Sequence, residues 1–354
     1  MRLKQKNNID ALKEYVFLDR QLRNGSVESD YDKFCEEHCT DIEELIAENE
    51  RLKREKYENN AREIYNLIML IGLPGSGKSR FATEYERKHE LVRIVSSDDI
   101  REEYSLKYTA EDNETCFRVL KKRAKDYMKE GYTALIDATN IKIKDRINLL
   151  DELRPKDGEL IAKAKVIFAN YDTCIKRNES RDRKVPNEVI TRMLENFNFP
   201  MLQEGFYDID IEFNDNNLLF ENEFESIEGY EAINKKTLKG LAMAKILKCG
   251  ESVTNACYLC DIGELVAKKY EKEYNIKFAR DKYANIGAYC AIQEISTFLR
   301  YNNDKWGTIE TLQLINWHEI FGNTLNDKTL REYSNLFGNI FLDKIRLITA
   351  IRGT

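Results

Sequence analysis

The sequence predicts an α/β domain on a parallel sheet, with a helical arm before it and an all-α domain after it. Three observations carry that expectation. Apolar runs of strand length alternate with amphipathic helical segments from residue 66 to about 225, the pattern of βα units. All four prolines lie at or before Pro200, and from about Glu231 to Ile351 apolar residues recur at helical spacing without a strand pattern. The chain up to residue 64 is heavily charged, with Ile42, Leu45, Ile46 and Leu52 on one helical face. The 354 residues therefore divide into 1–64, 65–225 and 226–354.

In chain order, Asp41 to Glu63 reads as a helix of the arm; a short coiled coil is the alternative, but the apolar repeat fails after Leu52, which favours an arm packed on the core. Leu67 to Ile71 is the first strand, and Arg80 to Glu90 the helix that follows it. Leu91 to Val95 is the second strand, and Glu114 to Glu130 a helix closed by Gly131. Tyr132 to Ile136 is the third strand, before a helix near Lys144 to Leu153. Ile161 to Phe168 is the fourth strand, before a helix near Thr173 to Ser180. Tyr207 to Glu212 also reads as a strand, because its Asp208 and Asp210 lack the glycine and threonine of a phosphatase motif. Beyond Glu231 we expect five or so helices, with Leu238, Leu241, Ala242, Ile246 and Leu247 marking the first apolar stripe.

Bulk properties exclude several classes. A net charge of −6 gives no global basic field for nucleic acid, so any phosphate-bearing substrate must be met by local patches. No apolar run is long enough to span a bilayer, and Met1 to Asn7 lacks the apolar core of a signal peptide. The cytoplasm is the expected compartment, with no membrane partner. The eight cysteines form no framework, and Cys257 and Cys260 sit on a helical apolar pattern that suits a core better than a zinc site. Three scattered histidines are too few for a phosphohydrolase built on His-Asp metal pairs.

The densest signal is Gly72-Leu73-Pro74-Gly75-Ser76-Gly77-Lys78-Ser79, between the first strand and its helix. It fits Gly-x4-Gly-Lys-Ser/Thr. The glycines let backbone N–H groups close around a polyphosphate at a helix N-terminus, where orphan donors and the dipole favour anions. Lys78 reaches the β- and γ-phosphates of a nucleoside triphosphate, and the Ser79 hydroxyl sits on Mg²⁺. ATP and Mg²⁺ are thus the expected cofactors.

Three further clusters fall at strand ends, where an open α/β sheet places its ligands. In Ser96-Ser97-Asp98-Asp99-Ile100-Arg101, Asp98 is the candidate general base, and Arg101, one turn on, the candidate for a substrate phosphate. The plainer alternative makes Asp98 or Asp99 a helix cap. In Asp137-Ala138-Thr139-Asn140, Asp137 is the candidate Mg²⁺ carboxylate, while Thr139 and Asn140 offer hydrogen bonds to substrate or form an Asx turn. Lys176 to Lys184 holds five cations in nine residues, with Arg177 and Arg181 on one helix face. That is either solvated surface or a lid whose arginines neutralise charge on a transferred phosphoryl group.

Together these segments resemble the phage-type polynucleotide 5′-hydroxyl kinases and their bacterial RNA-repair relatives, over residues 66 to about 200. The resemblance implies a P-loop kinase domain and an acceptor that is the 5′-OH of RNA or DNA. It assigns the general base to Asp98, the phosphate on the 3′ side of the acceptor to Arg101, and the donor phosphates to Arg181 and, less directly, Arg177. No ligase motif is present, because Pro155 to Gly158 has the wrong spacing and reads as a turn. Two alternatives stay open: a kinase of a small metabolite or nucleotide sugar, and a nucleotide-dependent switch whose helical regions, with Trp306 and Trp317, bind a protein partner. Lys268, Lys269, Tyr270 and Lys272 form either a nucleic-acid stripe or an ordinary solvated helix face.

Overall fold

Strand β1 (Ile64–Ile71) is the axis of the molecule, because it is hydrogen-bonded on both sides and apolar on both faces. In this computed structural model, which describes residues 63–181, 184–215, 225–302, 304–321 and 327–353, β1 lies centrally in a parallel five-stranded sheet of order β2-β3-β1-β4-β5. The others are β2 (Val92–Ser96), β3 (Thr133–Asp137), β4 (Glu159–Phe168) and β5 (Phe206–Phe213). Ile71 pairs with Val166, Met69 with Ile136, and Ser96 with Asp137. The C-terminal ends of β1, β2, β3 and β4 are thereby neighbours. The expectation for residues 1–62 lies outside the described residues.

Alternation along β1 explains the two layers. Leu67, Met69 and Ile71 enter the larger core, while Leu70 faces a smaller one with Ala82, Val92, Leu135 and Ile167. Helix α1 (Lys78–Lys88) supplies Ala82 to the smaller layer. Helix α2 (Ser97–Glu103) follows β2. Helix α3 (Ala110–Lys129) buries Cys116, Leu120, Ala124 and Met128, one residue per turn, in the larger layer. Helices α4 (Ile143–Leu153), α5 (Tyr171–Glu179) and α6 (Asn187–Glu195) complete the α/β part.

After residue 225 the described chain is helical: α7 (Tyr230–Ile246), α8 (Glu251–Leu259), α9 (Ile262–Tyr274), α10 (Tyr283–Asn302), α11 (Lys305–Trp317), α12 (Asp327–Phe337) and α13 (Asn339–Gly353). These helices share one hydrophobic cluster with β4, α5 and α6, and Ile64–Thr354 forms a single unit. The strand read at Tyr207 to Glu212 is β5, and its Asp208 and Asp210 hold Lys305 Nζ at 2.7 and 2.6 Å. Cys257 and Cys260 are buried in the core.

Three surface readings are refined. The stripe expected on α7 faces the wrong way: Leu238, Ile246 and Leu247 are exposed, and the helix buries Ile233, Thr237, Gly240 and Ala244. Small residues let α7 sit close to its neighbours, so the packed face carries less hydrophobicity than the solvent face. Trp317 packs at a tilt against Tyr333 and Phe337, whereas Trp306 is half exposed. Lys268 pairs with Glu264 and Lys269 with Glu273, while Tyr270 is fully buried, so that segment is a paired helix face over a core residue.

One buried group makes stability depend on pH. His318 follows α11, with Nδ1 2.7 Å from the Ile315 carbonyl oxygen. Burial first, and then the Arg352 charge, push its pKa from 6.5 to about 4. The unfolded chain takes up a proton near 6.5 and the folded one not until about 4, so acid favours unfolding between those values. Urea denaturation is expected to show this loss, at most about 1.4 kcal/mol per pH unit from His318, and His318→Gln is expected to flatten it. An unchanged pH slope in that variant would contradict the assignment.

Candidate phosphoryl-transfer site

The loop after β1 is held from three sides, and its glycines show why. A Cβ on Gly72 would come 2.5 Å from the Ile167 carbonyl oxygen. Gly75, at φ +83°, has room only for hydrogen against the Cys174 carbonyl of α5. Gly72 N–H donates to the Thr139 carbonyl at 3.1 Å, tying the loop to the end of β3. Asn214, just after β5, donates to the Ser76 carbonyl at 2.8 Å. Pro74 lies inside this frame, and the Ser76 hydroxyl is buried there without a protein partner. A cradle of that shape, opening at the N-terminus of α1, fits a polyphosphate.

Lys78 and Ser79 begin α1 and point the chemistry. Lys78 Nζ donates to the Leu73 carbonyl at 2.8 Å, and its side chain is buried. Burial lowers its pKa, and the nearby Asp137, Cys174 and Asp98 oppose that shift. Asp137, at the end of β3, is buried and accepts a hydrogen bond from Ser79. Burial raises the Asp137 pKa, with Lys78 and Ser79 acting against it. Ser79 and Asp137 are therefore the pair that would hold Mg²⁺, and a hydroxyl beside a carboxylate is a donor set such an ion accepts.

Asp98 stands opposite. It lies in the first turn of α2 and is exposed. The cap of that helix is Ser96, whose hydroxyl accepts from Asp99 N–H at 3.1 Å, so neither Asp98 nor Asp99 is needed as cap. Asp98 interacts electrostatically with both Lys78 and Asp137. The structure thus brings Lys78, Ser79, Asp98 and Asp137 together at the ends of three adjacent strands.

The remaining candidates sit differently. Arg101 is buried, with Nη1 donating to the Lys107 carbonyl at 2.8 Å, Nη2 to Asn113 at 2.6 Å, and Tyr108 over the guanidinium at 4.6 Å. It holds the loop between α2 and α3. Asn140, at φ +47°, donates from its amide to the Leu70 carbonyl at 2.7 Å, so its side chain fixes the β3 loop to β1, and Thr139 contributes its carbonyl to Gly72. Arg177 donates to the Gly75 carbonyl at 3.4 Å and the Asn214 carbonyl at 2.8 Å, clamping the phosphate loop by its backbone. Arg181 is exposed and within electrostatic reach of Lys78. Asp182 and Arg183 of the same charge run lie outside the described residues.

Sequence reasoning missed several supports. Arg146 of α4 is fully buried, paired through two contacts of 2.7 Å with the buried Glu204. Its third nitrogen, Nη1, donates to the carbonyls of Asn140, Ile141 and Asn198. Asn178 closes the lid loop on itself, donating to the Val185 carbonyl at 2.7 Å and accepting its N–H at 2.9 Å. Both carried a readable signal. Arg146 interrupts the stripe Ile143, Leu149, Leu150, Leu153, and Asn178 follows Tyr171, Cys174 and Ile175 at helical spacing. A polar group on an apolar stripe is a buried partner-seeker.

Comparison with known proteins bears on the α/β part. Residues 67–200 match the family AAA_33, described as AAA domain, and that segment is a P-loop kinase-type domain. Over 139 residues the chain is 30% identical to L-seryl-tRNA(Sec) kinase of Methanococcus maripaludis, covering 38% of this chain and 53% of that protein. The chain therefore spans about half the length of this curated relative. Among solved structures, similarity extends to a chain of the Pnkp1/Rnl/Hen1 RNA repair complex, at 22% identity and a TM-score of 0.34, covering 38% of this chain and 45% of that one. It also extends to a gluconokinase from Sinorhizobium meliloti 1021, at 14% identity and a TM-score of 0.31, covering 43% and 84% respectively.

Proposed function

We propose that this chain is an ATP-dependent, Mg²⁺-assisted kinase that phosphorylates a hydroxyl, the 5′-OH of RNA or DNA. The observation that carries the reading is the placement of Asp98, uncapped and exposed, across the crevice from Lys78, Ser79 and Asp137. A carboxylate there suits a kinase, because the attacking hydroxyl must lose its proton as it approaches the γ-phosphate. An ATPase would use the same carboxylate on water, so the labelled-acceptor experiment below is what separates the two readings. The 5′-OH assignment rests on the Asp98-Asp99-Ile100-Arg101 and Lys176-to-Arg181 segments, while the relative named L-seryl-tRNA(Sec) kinase supports only the coarser reading of a kinase.

In this account, the loop N–H groups and Lys78 hold the triphosphate. Bound Mg²⁺, held by Ser79 and Asp137, would supply charge neutralisation on the phosphates. Asp98 takes the acceptor proton on its carboxylate. Arg181 closes from the lid and offsets charge on the transferred group, while Arg177 keeps Gly75 in place. Thr139 is a proposed acceptor contact, and Arg101 and Asn140 would join it only by releasing the partners that hold them in this structure.

One observation favours a second reading, a small acceptor without a phosphate. Arg101 spends both terminal nitrogens on Lys107 and Asn113, so contacting an acceptor phosphate requires it to exchange partners. The discriminating experiment offers labelled ATP and Mg²⁺ to 5′-OH RNA, 5′-OH DNA, the same strands with 5′-phosphate, and small polyols. Label on the 5′-OH strands alone is the expected outcome. Label on polyols alone would replace the polynucleotide reading with the small-acceptor one. ATP hydrolysis with no labelled acceptor would favour the switch, with the helical regions as a protein-binding surface.

A further inference from the structure

We propose that the C-terminal helices belong to the phosphotransfer machinery: Tyr289 of α10 is a positioning residue that fixes the lid hairpin α5–α6 over the phosphate loop. The proposal rests on the kinase reading but not on the identity of the acceptor.

The lid hairpin runs from the end of β4 through α5, the loop closed by Asn178, and α6 to Phe199. Its two feet stand side by side, and one side chain touches both. The ring of Tyr289 lies 5.1 Å from that of Phe168 at the first foot and 5.0 Å from that of Phe197 at the second. Its hydroxyl donates to the buried Ala169 carbonyl at 2.7 Å and contacts the Cys174 thiol. Ala169 lies two residues before α5, next to its cap Asn170, and Cys174 is the residue whose carbonyl faces Gly75. Tyr289 is therefore one residue away from the phosphate loop by direct contact.

Neighbouring bonds fix the same two feet. At the first, Tyr274 donates to Asp172 at 2.5 Å, and Tyr270 packs on Tyr171 with centroids 4.8 Å apart. At the second, Asn285 donates to the Glu195 carbonyl at 2.6 Å, and Asn316 accepts from Phe199 N–H at 2.7 Å. All these partners come from α9, α10 and α11. Opposite the feet, the hairpin carries Arg177, bonded to the loop, and Arg181, in reach of Lys78. Where the feet stand decides where those guanidinium groups point. A displacement of about 1 Å at such a distance from the chemistry can cost on the order of 10²-fold in rate.

The test uses the full chain with Tyr289→Phe, which keeps the ring and removes the hydroxyl. Hydrogen exchange of amides 178–181 and 184–185 is measured with and without Mg²⁺ and a non-hydrolysable ATP analogue, together with kcat and KM. We expect nucleotide-induced protection of the lid to fall about tenfold, and kcat with it, while KM for ATP changes less than about threefold. The double variant Tyr289→Phe/Arg181→Ala is expected to lose less than the product of the two single losses, because part of the Tyr289 effect runs through the Arg181 guanidinium. Wild-type lid protection and kcat in Tyr289→Phe, or losses that multiply in the double variant, would overturn the proposal. If Tyr289→Phe does not fold, Tyr274→Phe must show the same loss of lid protection, and intact protection there overturns it. A wild-type chain that phosphorylates nothing, in which Tyr289→Phe still loosens the lid, would instead overturn the kinase reading and leave this coupling standing.

Discussion

Replacing Lys78 by alanine is expected to lower phosphoryl transfer by about 10²–10³-fold, the usual cost of deleting a preorganised charge aimed at a transition state. The geometry explains the size. Lys78 is held by the Leu73 carbonyl inside the loop and is desolvated, so its charge acts in a medium that screens it poorly. The same substitution strips Asp137 of the Lys78 charge, which opposes the rise that burial imposes on that carboxyl's pKa. Both changes weaken the pair proposed to hold Mg²⁺. Steady-state kinetics with ATP give the rate, and the nucleotide-induced shift in Tm gives the binding loss. Activity within a factor of two of the parent would contradict the role given to Lys78.

The second large effect is on folding. Arg146→Met is expected to destabilise the chain by about 3–5 kcal/mol, because it leaves Glu204 as a buried charge without its partner. It also orphans the carbonyls of Asn140, Ile141 and Asn198, which Arg146 Nη1 satisfies. The double variant Arg146→Met/Glu204→Leu is expected to recover only the part due to the unpaired charge, since the three carbonyls stay unsatisfied and the Met201 N–H loses Glu204 as its acceptor. Urea denaturation measures both. The pair also has a bearing on function: it holds the Asp137-to-Asn140 loop from below, so transfer activity is expected to fall in either single variant. Equal stability of Arg146→Met and the parent would show that the pair carries no structural role.

The α/β fold was legible because its signals are local. A buried parallel strand is a short apolar run, and each observed strand overlaps its expected range within about three residues. The phosphate loop was legible for the same reason, since its glycines, lysine and serine are contiguous. Helix faces were harder. On α7 the packed side is built from Ile233, Thr237, Gly240 and Ala244, so close approach rather than hydrophobicity chose the face. The supports of the site were least legible, because they join residues far apart in the chain. Arg146 with Glu204, Asn214 with Ser76, and Tyr289 with Ala169 are each separated by more than 50 residues. Arg101 shows the limit most clearly: its position after Asp98 suggested a phosphate, and only coordinates show its partners in Lys107, Asn113 and Tyr108.

Everything in the functional account turns on Asp98 serving as the base opposite the phosphate loop. The direct measurement is single-turnover transfer of labelled γ-phosphate to a 5′-OH oligoribonucleotide by the parent and by Asp98→Asn, with ATP affinity measured on the same preparations. The account predicts a loss of about 10²–10⁴-fold in the transfer rate, the range for removing a general base, with ATP affinity unchanged within a few-fold. Transfer at the parent rate by Asp98→Asn would contradict it.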